Sequence, residues 1–177
     1  MHRLLLNREI YTDFVQPCVP QAKRFLWIVT ADIKDLYISV NNRFQPFLET
    51  LSDLVDLGVA VRLIHAKEPG PRFREDFDRF DNLVQNDLFE RILCPRVHTK
   101  AIVIDGTLAF LGSANLTGAG LGAKHEDKRN FEAGFMFDTE TDINALMAWI
   151  DELYLGNHCK SCKRREYCPD PIIELDR

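Results

Sequence analysis

Val97-His98-Thr99-Lys100-Ala101-Ile102-Val103-Ile104-Asp105, followed by Gly112-Ser113-Ala114-Asn115, is the stretch on which the reading of this chain turns. It has the form H-x-K-x4-D-x6-G-S-x-N. Residues 96–104 read as an apolar strand, Asp105-Gly106 as a tight-turn dipeptide, and residues 107–111 as the returning strand. Side chains alternate across a strand, so His98 and Lys100 are expected on one side. Hairpin pairing is expected to bring Ser113 and Asn115 back beside them. Such a group unites a nucleophile, a cation and hydrogen-bond donors, which is what breaking a phosphodiester without a metal requires. A lone histidine on an apolar strand is most often a satisfied core residue. Lys100, Asp105, Ser113 and Asn115 at fixed spacing around it make that a poor account here.

Working outward, strands and helices alternate. Residues 24–33, 59–66, 91–94 and 131–137 read as further strands. Residues 8–16 suit a short helix, ended by Pro17-Cys18-Val19-Pro20. Phe44, Phe47, Leu48, Leu51, Leu54 and Val55 fall at helical spacing, predicting a helix over 42–57 that stops at Gly58. Phe73, Phe77, Phe80 and Val84 predict another over 72–88, and Ile143, Leu146, Met147, Ile150 and Leu153 a last one closed by Gly156. This alternation predicts an α/β domain over residues 1–156, with its sheet covered by helices, and a short cysteine-rich extension over 157–177.

A chain of 177 residues with 46% apolar and 28% charged residues is ordinary for one globular domain. The net charge of -5 excludes a polycation, so any nucleic-acid contact must come from local patches. No apolar run reaches the roughly 20 residues that span a bilayer, so no membrane insertion is expected. Leu4-Leu5-Leu6 is cut short by Asn7-Arg8-Glu9, too soon for a signal peptide, and the expected location is cytoplasmic. Five cysteines there point to metal binding or buried thiols before disulfides.

His98, Lys100, Asp105, Ser113 and Asn115 closely resemble the HKD signature of the phospholipase D superfamily. Residues 54–64 are similar to the helix-to-strand segment ahead of it. Asn130-Phe131-Glu132-Ala133-Gly134 is similar to the segment after it, and the resemblance covers about residues 22–155. It implies a mixed β-sheet flanked by helices on both faces. Two HKD motifs make one site in that family, and this chain has one, so the resemblance implies a homodimer with the site on its two-fold axis. It further implies that one His98 attacks phosphorus while the other protonates the leaving oxygen and then activates water. Lys100, Ser113 and Asn115 would hold the anionic oxygens, Glu132 would orient the histidine, and Asp105 would anchor the turn. No cofactor is required for this catalysis.

The tail carries Cys159, Cys162 and Cys168 in the pattern C-x2-C-x5-C. Three such thiolates can converge on one centre and need a fourth ligand. Cys18, between two prolines, is the expected fourth, while Cys94 before Pro95 reads as a buried thiol. The pattern resembles the iron staple of CRISPR-associated exonucleases and AddB-type helicase–nucleases, which implies a structural [4Fe-4S] cluster on Cys18, Cys159, Cys162 and Cys168. Zinc and no metal at all stay open. Lys124, Lys128 and Arg129, and in the tail Lys160, Lys163, Arg164 and Arg165, are candidate contacts to a nucleic-acid backbone or simply solvated charge.

The expected activity is that of a metal-independent phosphodiester hydrolase, an endonuclease of DNA or RNA. The alternatives are a phospholipase D or phosphatidyl transferase, and a redox-sensing nucleic-acid-binding module with a vestigial site.

Overall fold

The computed structural model describes residues 1–34, 36–40 and 42–168. β1 (His2–Leu6) leads into a wide π-type helical segment at Ile10–Val15, the short α1 (Gln16–Cys18) and a 3-10 turn at Val19–Gln21. Then come β2 (Phe25–Thr30), the two-stranded hairpin β3 (Tyr37–Val40) and β4 (Arg43–Pro46), α2 (Phe47–Asp56) and β5 (Ala60–His65). α3 (Pro71–Phe77), α4 (Asp81–Gln85), β6 (Phe89–Leu93), β7 (Lys100–Ile104), β8 (Leu108–Gly112), β9 (Ala133–Phe137) and α5 (Glu140–Tyr154) complete the order.

Seven strands form one mixed sheet in the order β1-β9-β8-β7-β2-β5-β6. β2, β5 and β6 are parallel, joined by helical crossovers. β7 lies antiparallel to β2, and β8, β9 and β1 extend the antiparallel half. The β7–β8 hairpin turns on Asp105 (φ 55°) and Gly106 (φ 71°), the left-handed pair that suits the twist of two adjoining strands.

Alternation along the strands splits the core in two. Leu26, Ile28, Leu63, Ile102 and Phe110 face α2 and the helical segment that carries Phe14. Val29, Ile64, Val103 and Phe137 face Ile143 and Ile150 of α5. This is one domain whose mixed sheet has helices on both faces, as expected.

Several elements differ from their expected bounds. The helix expected from residue 42 begins at Phe47, because Pro46 disfavours helix in the residue before it and residues 43–46 pair as β4 instead. The helix expected over 72–88 is two, α3 and α4. Pro17 does not end the first helical segment: it sits in the opening turn of α1, where a missing N–H costs nothing. β1 was not foreseen. It completes an edge of the sheet by pairing with β9.

Candidate active site

β7 and β8 carry the motif to one end of the sheet. The strand begins only at Lys100, because Cys94–Val97 closes a turn through the Val97 N–H and Cys94 carbonyl at 3.0 Å. His98 therefore stands on the chain entering β7 rather than within it. Lys100 still reaches it. The Lys100 Nζ donates to the His98 carbonyl at 2.6 Å and lies 3.3 and 3.4 Å from the two ring nitrogens. The side chain is only 6% exposed. Burial pushes the Lys100 ammonium below the usual lysine range, and the negative charge of Glu132 acts in the opposite direction.

Gly112 pairs with Lys100 across the hairpin, so Ser113 leaves β8 at the same end. The Ser113 hydroxyl donates to the Glu132 carboxylate in a short hydrogen bond and accepts the Ala133 N–H at 3.1 Å. Glu132 also accepts from the Asn130 amide at 3.1 Å. Its backbone is clasped by Asn7, whose side chain accepts the Glu132 N–H at 3.0 Å and whose own N–H donates to the Glu132 carbonyl at 2.8 Å. Within one subunit Glu132 thus holds Ser113, whereas the hydrogen-bond contacts of the His98 ring are to Lys100.

Asn115 is tied down from behind. Its side-chain carbonyl accepts the Asp32 N–H at 3.0 Å, and the Thr30 hydroxyl lies 3.5 Å away. The amide NH2 is the group that remains to donate. Asp105 is not at this end at all. Five residues of strand separate it from Lys100, about 17 Å at strand rise. Its carboxylate accepts the N–H groups of Lys23, Arg24 and Phe25 at 2.9, 2.7 and 3.0 Å, and so anchors the start of β2. It cannot also touch a phosphate held by Lys100.

His98 opens into a cavity of about 400 Å3 on the α5 face of the sheet, beside Trp149 and Leu153. Cys94, Cys159 and Cys162 line the same cavity. Cys18 does not come near them. It packs against the core on the opposite face, whereas Cys94 packs against the α5-side core, so the sheet lies between. The Cys18 thiol donates weakly to the Asp13 carbonyl at 3.9 Å, and burial pushes its pKa up, away from the thiolate a metal needs. Cys94, which sequence alone set aside, and not Cys18, shares a cavity with Cys159 and Cys162. Among the described residues, no three His, Cys, Asp or Glu side chains stand ready-grouped around an ion.

The remaining candidates are scattered. His125, Lys128 and Arg129 lie on an exposed 3-10 loop, where His125 pairs with Asp127 at 2.7 Å. Lys124 lines a separate groove. Lys163 and Arg164 meet Arg96 at the mouth of a cavity beside the tail. Lys160 and Arg165 belong to that same tail. Asn7 and Asn130 both contact Glu132; Asn130 lies in the family-like segment, whereas Asn7 had no signature as a site residue. Asn7 follows an apolar run and adopts φ 50°, a conformation asparagine tolerates.

A histidine with a buried lysine on it, and a serine–glutamate pair beside it, at one end of a mixed sheet define a phospholipase D-like fold and site. Residues 18–154 match the family described as cardiolipin synthase, PLD-like domain, and the chain belongs to that family. Its general chemistry is that of phosphodiesters. The fold is similar to NucT from Helicobacter pylori, at 13% identity and TM-score 0.58, covering 86% of this chain and 94% of that one. It is also similar to a phospholipase D family member, Nuc from Salmonella typhimurium, at 15% identity and TM-score 0.57, covering 87% and 95%. TrmBL2, described as an archaeal chromatin protein with a novel mode of DNA binding, matches at 14% identity and TM-score 0.58, covering 86% of this chain and 51% of its own. No curated protein shows a significant match. Among the described residues, no helix is long and apolar enough to cross a membrane.

Proposed function

We propose that the protein is a metal-independent nuclease whose active site is completed by a second copy of the chain. The observation that carries this reading is Lys100, a nearly buried ammonium held against His98 with no carboxylate hydrogen-bonded to it among the described residues. A desolvated cation without a bound counter-ion is costly unless an anion arrives, and a phosphodiester is the anion the family handles.

One His98 nitrogen bonds to phosphorus as the phosphorus–oxygen bond to the leaving group breaks. The second copy's His98, protonated, gives its proton to that leaving oxygen. It then takes a proton from water, whose oxygen displaces the first histidine. Lys100 and the Asn115 amide hold the anionic oxygens throughout, and the Ser113 hydroxyl joins them when it turns its one proton from Glu132 to the phosphate. No metal ion enters these steps.

Two surface features support this choice. Leu4, Phe135 and Leu111 lie side by side across β1, β9 and β8, on the α5 face but outside its cover, and all are exposed. Leu6 and Ser113 flank Ala133 in the next row, and Phe131 is 97% exposed. An apolar patch continuous with a half-site suits a two-fold partner. On the other side of Asn115, a groove of about 580 Å3 begins at Asp32 and passes Lys34, Tyr37, Phe44, Arg72 and Lys124. Arg72 and Lys124 form no ion pair among the described residues. Exposed aromatics among cations fit a nucleic-acid strand better than a lipid headgroup. Five cysteines in a chain of 177 residues suit metal binding or buried thiols in a reducing compartment, and we assign the protein to the cytoplasm.

The test compares wild type with His98→Ala on single- and double-stranded DNA and RNA, with and without EDTA, and on phosphatidyl lipids in vesicles. Cleavage of nucleic acid by wild type alone, unaffected when EDTA is added with the substrate, is the expected result. The variant should lose roughly 10³-fold or more in rate. Release of lipid headgroups with no nucleic-acid cleavage would replace this reading with the lipid one.

A further inference from the structure

Four of the five cysteines meet at one place, and the nuclease reading gives them nothing to do. Cys94, Cys159, Cys162 and Cys168 all line a small cavity of about 30 Å3, together with Leu93, Pro95 and Arg96. They arrive by two routes. Cys94 ends β6, with its N–H donating to the His65 carbonyl at 2.8 Å. The other three come from the tail, which α5 returns to this end of the sheet and which leaves the helix at Gly156 (φ 68°). None of residues 157–168 is buried, and among these described residues beyond α5 there are only turns and one 3-10 turn at Arg165–Tyr167. A segment with no apolar side chain in a core has little to hold it folded. Its cysteines nevertheless line one cavity with Cys94.

We propose that Cys94, Cys159, Cys162 and Cys168 bind a single zinc ion that staples the tail to the end of β6. Four thiolates are a complete tetrahedral set for zinc, with no open position for chemistry. Each thiol gives up its proton to solvent as the ion binds, and the ion draws the sulfurs together. The cavity common to all four cysteines is small and lies between the end of β6 and the tail, where a single ion would link the two. Cys94 and Cys159 are far apart in the chain, so their link removes much freedom from the unfolded state. The staple also has a local effect. Cys94, Cys159 and Cys162 line the His98 cavity, so the ion fixes one wall of it and holds Lys163 and Arg164 beside Arg96.

The test is metal analysis of the full-length protein purified from zinc-replete cells without chelator. Wild type and Cys18→Ala should each carry roughly one zinc per chain. Cys94→Ser and Cys159→Ser should lose nearly all of it. If those two variants fail to fold, wild type alone decides. Its native zinc should shield Cys94, Cys159, Cys162 and Cys168 from alkylation, mapped by mass spectrometry, and a mercurial that displaces the ion should expose all four. Zinc retained by Cys94→Ser but lost by Cys18→Ala would overturn the assignment. So would metal-free wild type, or iron with acid-labile sulfide in place of zinc. These readouts do not depend on cleavage, so they stand or fall apart from the nuclease reading.

Discussion

His65 is fully buried at the end of β5, and its Nδ1–H donates to the Lys67 carbonyl at 2.7 Å. The acceptor is a carbonyl, so the proton belongs on Nδ1 and Nε2 is left as a bare acceptor, buried without a partner. Burial, assisted by the Arg91 charge, pushes the His65 pKa below its ordinary value. Below about pH 6.5 the unfolded chain takes up a proton that the folded chain refuses, so stability falls as pH falls. The contribution is at most about 1.4 kcal/mol per pH unit, and it levels off once the folded histidine protonates. Asparagine keeps a donor near Nδ1 and cannot titrate. Urea unfolding at about pH 7 and pH 5 should therefore show a smaller acid loss for His65→Asn than for wild type. Equal losses would mean that the acid sensitivity lies elsewhere. This histidine is a core residue. The placement of Lys100 beside His98, and of Ser113 at the same end of the sheet, was legible because their spacing is local. Asn7 was not legible, since nothing near it in the chain announces a partner 125 positions away.

At the scale of the element, β8 and β9 are pressed together by a gap in their side chains. Gly112 and Gly134 stand opposite one another, and the Phe110 ring lies across both. A Cβ on Gly134 would meet the Phe110 Cε2 and Cζ at 2.5 Å, and one on Gly112 would meet the Ala133 carbonyl oxygen at 2.6 Å. Phe110 is itself buried and packs on Phe14 at 5.5 Å between centroids, so it has little room to retreat. Gly134→Ala should cost about 1–3 kcal/mol in chemical unfolding, the usual penalty of overpacking. A variant as stable as wild type would show that the ring can move aside. The sheet's strands were largely legible because their apolar runs are continuous. The helix bounds were less so. Phe44 fits the helical period of α2 yet is exposed on a hairpin, and Pro46 was the available sign that the period had to break there. His98 was read as part of a strand because Pro95 marks a break but not how far the following turn runs.

For the whole molecule, the two open questions of assembly sit on the same face of the sheet. The uncovered row of Leu4, Leu111 and Phe135 is proposed to meet its own copy, burying on the order of 800 Å2 per partner if the dimer is of ordinary size. Phe135→Glu should shift sedimentation to the monomer and lower cleavage in parallel, because each site would then lack its second histidine. A monomeric variant with full activity would rule out a shared site. The cysteine arrangement was half legible. The C-x2-C-x5-C spacing named three members, but the fourth depends on which side of the sheet each loop lands. Cys18 looked suitable for its rigid flanks, and only the fold shows that Cys94 shares a face with the tail.

β1 carries a last consequence, one of timing. It lies at the sheet's edge, paired only to β9, and the Asn7 that ends it clasps Glu132. Synthesis proceeds from the amino terminus, so Asn7 waits for 125 further residues before its partner exists. Ser113 likewise leaves the ribosome before the carboxylate it will donate to. A growing chain thus carries His98 and Lys100 before the serine–glutamate pair can form.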